Sequence, residues 1–502
     1  MELVSLSKIL TYWEKNQADR IAISHEEESI SWHQLELDTN RLARAYAELG
    51  VKEGDFVTVA LPNSIEFFKA CFATWKLGAT PQPVSAKLPK FERDQIIVLG
   101  KPSLVVGVDG ASDMAATVPS GYEPSSALSN ETLGEKTAPS FKAMPSGGST
   151  GRPKLIVSTT PAEWDVDFEY LEIRKQGAML VPGPLYHNGP FMWAMIALFR
   201  GNHVCITTRF DAEQTLSLIE QHRVDIIYTV PTMMQRIWKL PESTRTKYDV
   251  SSLKTLWHLA APCPAWLKQN FIDWLGAEVI WELYGGTEGT GGTIINGVEW
   301  LQHRGSVGQP GDVGEMKIVG EDGEELPAGE IGELFLRPYT GPGSTYRYIG
   351  AEAKSLEGGW ESLGDMGYMD EDGYLYLADR QSDMILSGGA NIYPAEVEAA
   401  IDSFPGIRSS AVIGLPHDDL GNAVHAIVDA PGADAPGAVA PGASTPGVST
   451  REGITEQALL AHLQERLVRY KIPRSIEFTS EPLRDDAGKV RRSQLRSERI
   501  SS

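Results

Sequence analysis

The sequence predicts an α/β protein. A large N-terminal domain of parallel and mixed sheets with helices carries a small β-barrel-like subdomain, and a small α+β C-terminal domain follows. Three observations carry that prediction. Helix-period and strand-like segments alternate through the first half, the pattern of a mainly parallel sheet covered by helices. From Gly308 the strands become short and are flanked by Gly and Pro, as in antiparallel or barrel-like structure. Beyond Asp383 a separate strand–helix–strand–strand–helix unit begins.

Each element has its own signal. Leu6, Ile9, Leu10 and Trp13 recur at helical spacing, and Phe56-Val57-Thr58-Val59-Ala60 reads as a buried strand. A helix is predicted from Glu66 to Leu77, stopped by Gly78. The alternation continues with a strand at Val204-Cys205-Ile206, a helix near 212–221 and a strand at Asp225-Ile226-Ile227-Tyr228. In the Gly/Pro-rich region, Glu315-Met316-Lys317-Ile318-Val319 and Gly332-Glu333-Leu334-Phe335-Leu336 read as short strands. The last unit reads as a strand at 384–386, a helix at 394–403, strands at 410–414 and 423–429, and a helix at 456–469. The predicted domains are therefore 1–380, with the β-rich part at about 308–380, and 384–502, with the boundary at 381–383. Within the last, 430–450 repeats Pro-Gly at Pro431, Pro436, Pro441 and Pro446. Such a Pro/Gly/Ala tract cannot bury enough apolar surface to order itself, so a disordered surface loop is expected.

Composition bounds the function. The 502 residues are 42% hydrophobic and 22% charged, too balanced for overall disorder, and carry a net charge of −22. That balance argues against a general nucleic-acid or anionic-membrane binder, so an anionic ligand needs local donors. Cys71, Cys205 and Cys263 are few, odd in number and far apart, which excludes a disulfide framework. No CxxC or His-rich cluster suggests a structural zinc site. The apolar run from Phe191 to Phe199 is far below the roughly 18–20 residues of a membrane span. The N-terminus lacks a signal-peptide pattern, and a cytoplasmic location is expected.

The first chemically suggestive segment is Ser146-Gly147-Gly148-Ser149-Thr150-Gly151-Arg152-Pro153-Lys154. Adjacent glycines let backbone N–H groups approach an anion, and hydroxyls and a lysine add donors for phosphate oxygens. Leu155 stands where a Walker loop has Ser or Thr, and the spacing is not that of a dinucleotide fingerprint. Further segments are Tyr284-Gly285-Gly286-Thr287-Glu288, Gly359-Trp360-Glu361-Ser362-Leu363-Gly364-Asp365 and Gly373 to Arg380. Ser387-Gly388-Gly389-Ala390-Asn391-Ile392-Tyr393-Pro394 and Gly488-Lys489 complete the series. Together and in this order they resemble the adenylate-forming superfamily of acyl-CoA synthetases, peptide-synthetase adenylation domains and luciferases. The resemblance covers roughly Leu6 to Arg492.

The resemblance implies an ATP-dependent acyl-CoA synthetase that forms acyl-AMP with release of pyrophosphate and then transfers the acyl group to CoA. It implies ATP, Mg²⁺ and CoA as co-substrates and a small carboxylic acid as substrate. It assigns Ser146, Gly147, Gly148, Ser149, Thr150, Gly151 and Lys154 to the phosphates, Thr287 and Lys489 to the α-phosphate, and Glu288 to Mg²⁺. Asp365 and Arg380 would hold the ribose, with Tyr284 and Gly285 on one side of adenine and Ala260, Ala261 and Pro262 on the other. Leu185-Tyr186-His187-Asn188-Gly189-Pro190-Phe191 resembles the family's aromatic–His element. His187, Asn188, Gly189, Trp193, Gly285 and Gly286 would border the acid, His187 beside the carboxylate. Small residues there, with Met192, Trp193, Met233 and Trp257, suit a bulky alicyclic or terpenoid acid, and some of these four read equally well as core. The wording of the motifs is most similar to the bile-acid and polycyclic acid ligases. Gly388 and Gly389 would meet CoA, and Ser382 would be the hinge of a mobile small domain; the basic stretch Arg466, Arg469, Lys471 and Arg474 reads as a contact for CoA phosphates or, equally, as a solvated helix face.

Four departures from the family pattern stand out: Gly147, Leu155, Ser382 and Ala390. The last two lie where the small domain rearranges for thioester formation, so adenylation is better supported than CoA transfer. Two alternatives stay open: an enzyme that hands acyl-AMP to a carrier protein or partner ligase, and a non-catalytic adenylate-binding protein. A homodimer is the other association left open.

Overall fold

The computed structural model describes residues 3–109, 115–147, 153–378, 383–387, 390–417, 420–430, 454–485 and 488–500, the side chain of Asn391 excepted. The expected hinge residue Ser382 and the Pro/Gly/Ala tract beyond Ala430 lie outside the described residues.

The N-terminal domain is built on a nine-stranded sheet. Its centre is six strands in parallel: Ile21–His25, His203–Ile206, Ala178–Val181, Ile226–Thr229, Thr255–Leu259 and Ile280–Gly285. Glu28–Ser31 closes one edge antiparallel, and Gly292–Asn296 with Gln309–Pro310 closes the other. A second, all-parallel sheet comprises Thr80–Pro83, Phe56–Val59, Leu104–Val106 and Ala116–Val118. Central strands such as Thr255–Leu259 are buried along their whole length, as expected where helices cover both faces.

Two helices fill the space between these sheets. Ile65–Lys76 and Asn188–Phe199 are apolar nearly all round, and every residue from Trp193 to Phe199 is buried. Their rings meet edge to face, Phe67 with Phe191 at 6.3 Å and Phe72 with Phe199 at 6.4 Å between centroids. Gly78 ends the first helix at φ +72°, a left-handed turn that only glycine takes without strain.

The predicted β-rich part is a five-stranded antiparallel sheet of Gly314–Val319, Gly332–Pro338, Trp360–Met369, Lys354–Leu356 and Leu375–Ala378. A smaller sheet, Tyr346–Ile349 on Pro153–Ser158 on Ala143–Gly147, ties this region back to the middle of the chain.

The C-terminal domain has its own five-stranded sheet: Ala390–Ile392, Ile385–Ser387, Gly421–Asp429, Ser409–His417 and Ser475–Thr479. Its core is Ile385, Val397, Ile401, Val412, Val424 and Leu459. The helix expected to reach Arg469 stops at Gln464, and a 3₁₀ turn follows over Arg469–Lys471. Val468 and Tyr470 are both 54% exposed, so the apolar stripe ends there, and Pro473 blocks any continuation. The basic C-terminal stretch forms the helix Arg492–Ile500, which buries none of its residues. It is held by ion pairs, Arg499 on Glu477 at 2.7 Å among them. Among the described residues no helix is long and apolar enough to cross a membrane.

A candidate active site at the carboxyl edge of the large sheet

Four turns leave the carboxyl ends of adjacent parallel strands. Gly183 to His187 follows Ala178–Val181, and Val230 to Thr232 follows Ile226–Thr229. Ala260 to Pro262 follows Thr255–Leu259, and Gly286 to Glu288 follows Ile280–Gly285. Open α/β sheets bind ligands outside this edge. Asn63 fixes the first turn: its amide donates to the Gly183 and Thr207 carbonyls at 2.8 and 3.0 Å, and its Oδ1 accepts from the Leu185 N–H at 2.8 Å. His187 is the N-cap of Asn188–Phe199 through its backbone, with no side-chain capping bond, and its ring lies 4.4 Å from that of Tyr186. Ala260 takes φ +71°, a conformation that places its Cβ under strain at the tip of the third turn.

The described ends of the glycine-rich segment lie on two antiparallel strands of one hairpin. Ser146 and Lys154 face each other across the strands Ala143–Gly147 and Pro153–Ser158, so Lys154 is a strand residue rather than a loop residue. Gly148, Ser149, Thr150 and Gly151 lie outside the described residues, as do Arg380, Gly388 and Gly389. Lys154 Nζ is 3.6 Å from Glu288 Oε1 and 3.9 Å over the Tyr348 ring. The Tyr348 hydroxyl donates to the same Oε1 at 2.5 Å. Burial and this bond push the Tyr348 phenol well above its ordinary value. Lys142, just ahead of the hairpin, is buried and donates to Asn188 Oδ1. Burial pulls its amine down to about 7, and the Glu288 charge opposes the fall. A carboxylate flanked by the Lys154 ammonium and the Tyr348 phenol is thus preformed at this edge. Hard oxygen donors suit Mg²⁺, and Glu288 fits that ion.

The Tyr284 hydroxyl donates to Asp365 Oδ2 at 2.7 Å. Asp365 lies on Trp360–Met369, and the Tyr284 ring packs against the cluster of Val307, Leu334, Leu336 and Leu375. The two expected nucleotide contacts are therefore joined by a bond that holds the carboxylate in place. Thr287 is half-buried on the turn between them.

The C-terminal domain closes over the second turn. Gly488, at φ +78°, sits so close to the N-terminal domain that a Cβ there would lie 3.1 Å from Thr232 Oγ1. Lys489 is exposed, and its N–H donates to Asp485 Oδ1 at 2.9 Å. Arg484 holds the turn by donating to the Gly488 carbonyl at 3.1 Å and to Glu398 at 2.8 Å. Arg492 adds bonds to Glu398 at 2.9 and 3.0 Å, and the Val412 N–H adds another at 2.8 Å. Burial alone would raise the Glu398 carboxyl. The Arg492 and Arg484 charges outweigh it and hold the group below its ordinary value. Between the domains, Lys239 donates to the Ile407 carbonyl.

The pocket expectation needs correction. A Cβ on Gly189 would lie 2.5 Å from the Tyr228 hydroxyl, and one on Gly286 would lie 2.4 Å from Leu363 Cδ1. Both glycines permit close packing instead of leaving open space. Gly285 is exposed, with the Gly291 carbonyl 3.3 Å from a Cβ placed there, and Ala260 faces solvent. Trp193, Met233 and Trp257 are buried, while Met192 is partly buried. The rings of Tyr228, Trp193, Trp257 and Trp281 follow one another at 5.5, 5.9 and 5.5 Å, a continuous aromatic wall behind the first turn. The basic stretch is also less available than it reads, because Lys471 is paired with Glu396 at 2.5 Å. Sequence reasoning missed Lys142 and Tyr348. The lysine interrupts the apolar run around Phe141 and Ala143, the one signal that could have marked it.

Residues 10–348 match the family described as AMP-binding enzyme, and residues 396–489 match its AMP-binding enzyme C-terminal domain. A feruloyl-CoA synthase of Amycolatopsis sp is 30% identical over 95% of each chain. The long-chain-fatty-acid–CoA ligase FadD13 of Mycobacterium tuberculosis is 28% identical over 93% of this chain and 92% of its own. Among solved structures, the o-succinylbenzoate CoA synthetase (MenE) of Bacillus subtilis superposes with a TM-score of 0.78. At 23% identity, with 99% of this chain and 98% of that one covered, this is a likeness of fold. The chain belongs to the AMP-binding enzyme family and is an AMP-forming acid–thiol ligase, with ATP, Mg²⁺ and CoA as co-substrates.

Proposed function

We propose that this protein is an ATP-dependent acyl-CoA synthetase for a bulky cyclic carboxylic acid, and that it works at the carboxyl edge of the large sheet. The observation that carries the reading is the pairing of two carboxylate stations there, Glu288 with Lys154 and Tyr348, and Asp365 with Tyr284. ATP laid between them would have its ribose on Asp365 and Arg380, and its adenine beside Tyr284, Gly285 and Ala260 to Pro262. Its phosphates would lie along the hairpin from Ser146 to Lys154.

The acid's carboxylate oxygen attacks the α-phosphorus, the bond to the bridging oxygen breaks, and pyrophosphate leaves with its electron pair. Negative charge gathers on the phosphoryl oxygens, so fixed donors matter most. Thr287 and Lys489 would meet the α-phosphate oxygens, and Lys154 the outer phosphates. Glu288 would hold Mg²⁺, whose charge offsets that of the phosphates. Lys142, anchored to Asn188 next to His187, places a buried amine close to the residues assigned to the acid. In the second half-reaction the CoA thiolate attacks the acyl carbonyl and AMP leaves. The small domain, residues 384–502, would turn about 381–383 to exchange Lys489 for Gly388 and Gly389.

Support for a cyclic acid comes from relatives named for feruloyl, indoleacetate and 2-succinylbenzoate groups. A panel of aromatic, polycyclic and linear acids, read by pyrophosphate release with and without CoA and by the thioester formed, tests the reading. CoA-dependent thioester from ring-bearing acids is expected. Pyrophosphate release with no thioester would point to a carrier protein as acceptor, and preference for linear acids would overturn the substrate class.

A further inference from the structure

At the opposite edge of the nine-stranded sheet, three residues distant in sequence come together. His203 opens the strand His203–Ile206, and Cys205, two residues on, projects from the same face. His222 is the last residue of the helix Ala212–His222, which packs over that face. Cys205 Sγ lies 3.6 Å from Nε2 and 4.0 Å from Nδ1 of His203. The His203 and His222 rings meet edge to face at 5.1 Å, and one ligand atom from each of the three residues falls within 4.8 Å of the others.

We propose that His203, Cys205 and His222 form a binding site for a divalent ion of the zinc class, remote from the adenylate site. The donor set is two imidazoles and a thiol, the soft-to-borderline combination that zinc and cobalt(II) prefer over Mg²⁺. Tetrahedral zinc, with bonds of about 2.3 Å to sulfur and ~2.0 Å to nitrogen, sets sulfur–nitrogen separations of about 3.5 Å. The 4.0 Å from Cys205 Sγ to His203 Nδ1 is close to that separation. Ser24, on the neighbouring strand, completes the arrangement: its Oγ is 2.8 Å from His203 Nε2. A hydroxyl on one ring nitrogen fixes the tautomer and leaves Nδ1 for the ion, the usual outer partner of a metal-binding histidine. Cys205 is 1% exposed, while both imidazoles are half-buried, so the ion enters from the histidine side. Binding releases the Cys205 thiol proton to solvent, one per ion. Three protein ligands leave a fourth position to water.

The test is a Co²⁺ titration of the chelator-treated full chain. A near-ultraviolet sulfur-to-cobalt band should grow to one equivalent and vanish when Zn²⁺ is added. Cys205→Ser should abolish the band. His222→Gln, a change at a half-buried helix end that the fold tolerates, should weaken Co²⁺ binding at least about tenfold. Ser24→Ala should weaken it by about 10- to 100-fold while keeping the band. Zn²⁺ should raise the melting temperature of the parent and not of His222→Gln. No band at millimolar Co²⁺, or a band that survives both Cys205→Ser and His222→Gln, would overturn the proposal.

Discussion

Glu288 and Glu398 are both buried, 7% and 4% exposed, yet they are surrounded in opposite ways. Glu398 is saturated: two guanidinium groups and a backbone N–H converge on its two oxygens. Glu288 accepts one phenol and has one lysine at 3.6 Å, both engaging Oε1. A buried charge with all its partners in place serves the fold, since removing it strands the others. A buried charge less completely matched, at a sheet edge, is suited to a ligand cation. Glu398 belongs to the scaffold that presents the Lys489 turn, and Glu288 to the proposed chemistry.

The comparison breaks most readily at Glu398. Glu398→Ala leaves Arg484 and Arg492 buried without their shared acceptor, and should cost about 3–5 kcal/mol of C-terminal domain stability in denaturant titration. The native carboxyl is held below its ordinary value of 4.5. Its contribution is therefore present above pH 4.5 and lost as the pH falls through the depressed value. A variant as stable as the parent would remove Glu398 from the scaffold.

Next in size is Glu288→Gln, which keeps an acceptor for Tyr348. Pyrophosphate release should fall by roughly 10²–10³, with a raised Mg²⁺ requirement, while stability changes by less than about 1 kcal/mol. A matching loss of stability would make the two glutamates alike.

Lys142 sharpens the contrast, because its amine is held near 7 instead of 10.5. The unfolded chain keeps that proton up to pH 10.5 and the native chain does not, so this group's contribution to stability rises between pH 7 and 10.5. Lys142→Met should raise stability by about 2 kcal/mol at pH 7, a gain that shrinks toward pH 10, and should lower acyl-AMP formation. Equal gains at both pH values would show that the amine is charged throughout.

The smallest effect is expected at the exposed Ala260. Ala260→Gly should relieve the left-handed strain and stabilise by up to about 1 kcal/mol, and chemical denaturation would read it.

Much of this was legible because the motifs sit where backbone geometry is local. Tyr284 to Glu288 ends a strand whose apolar run is plain in the sequence, and the site edge follows from parallel topology. What stayed hidden depends on partners far along the chain. Gly189 reads as open space until Tyr228 is seen to fill it. Lys142 gains meaning only from Asn188, and Tyr348 only from Glu288. The last helix offers no apolar stripe, because Glu477 and Gly414 hold it through Arg499 and Arg496. His203, Cys205 and His222 show no metal spacing in sequence, since a strand and a helix end bring them together.

The contact between Gly488 and Thr232 is a clearance between the two domains. Any side chain at 488 would meet a left-handed backbone and a threonine hydroxyl 3.1 Å away, two independent obstacles at one position. The missing Cβ thus sets how deeply the small domain can seat. Because Lys489 is the very next residue, that seating depth fixes the reach of its ammonium group. A bulkier residue at 488 would act as a shim: the Lys489 side chain would be intact, but held back by the thickness of a methyl group.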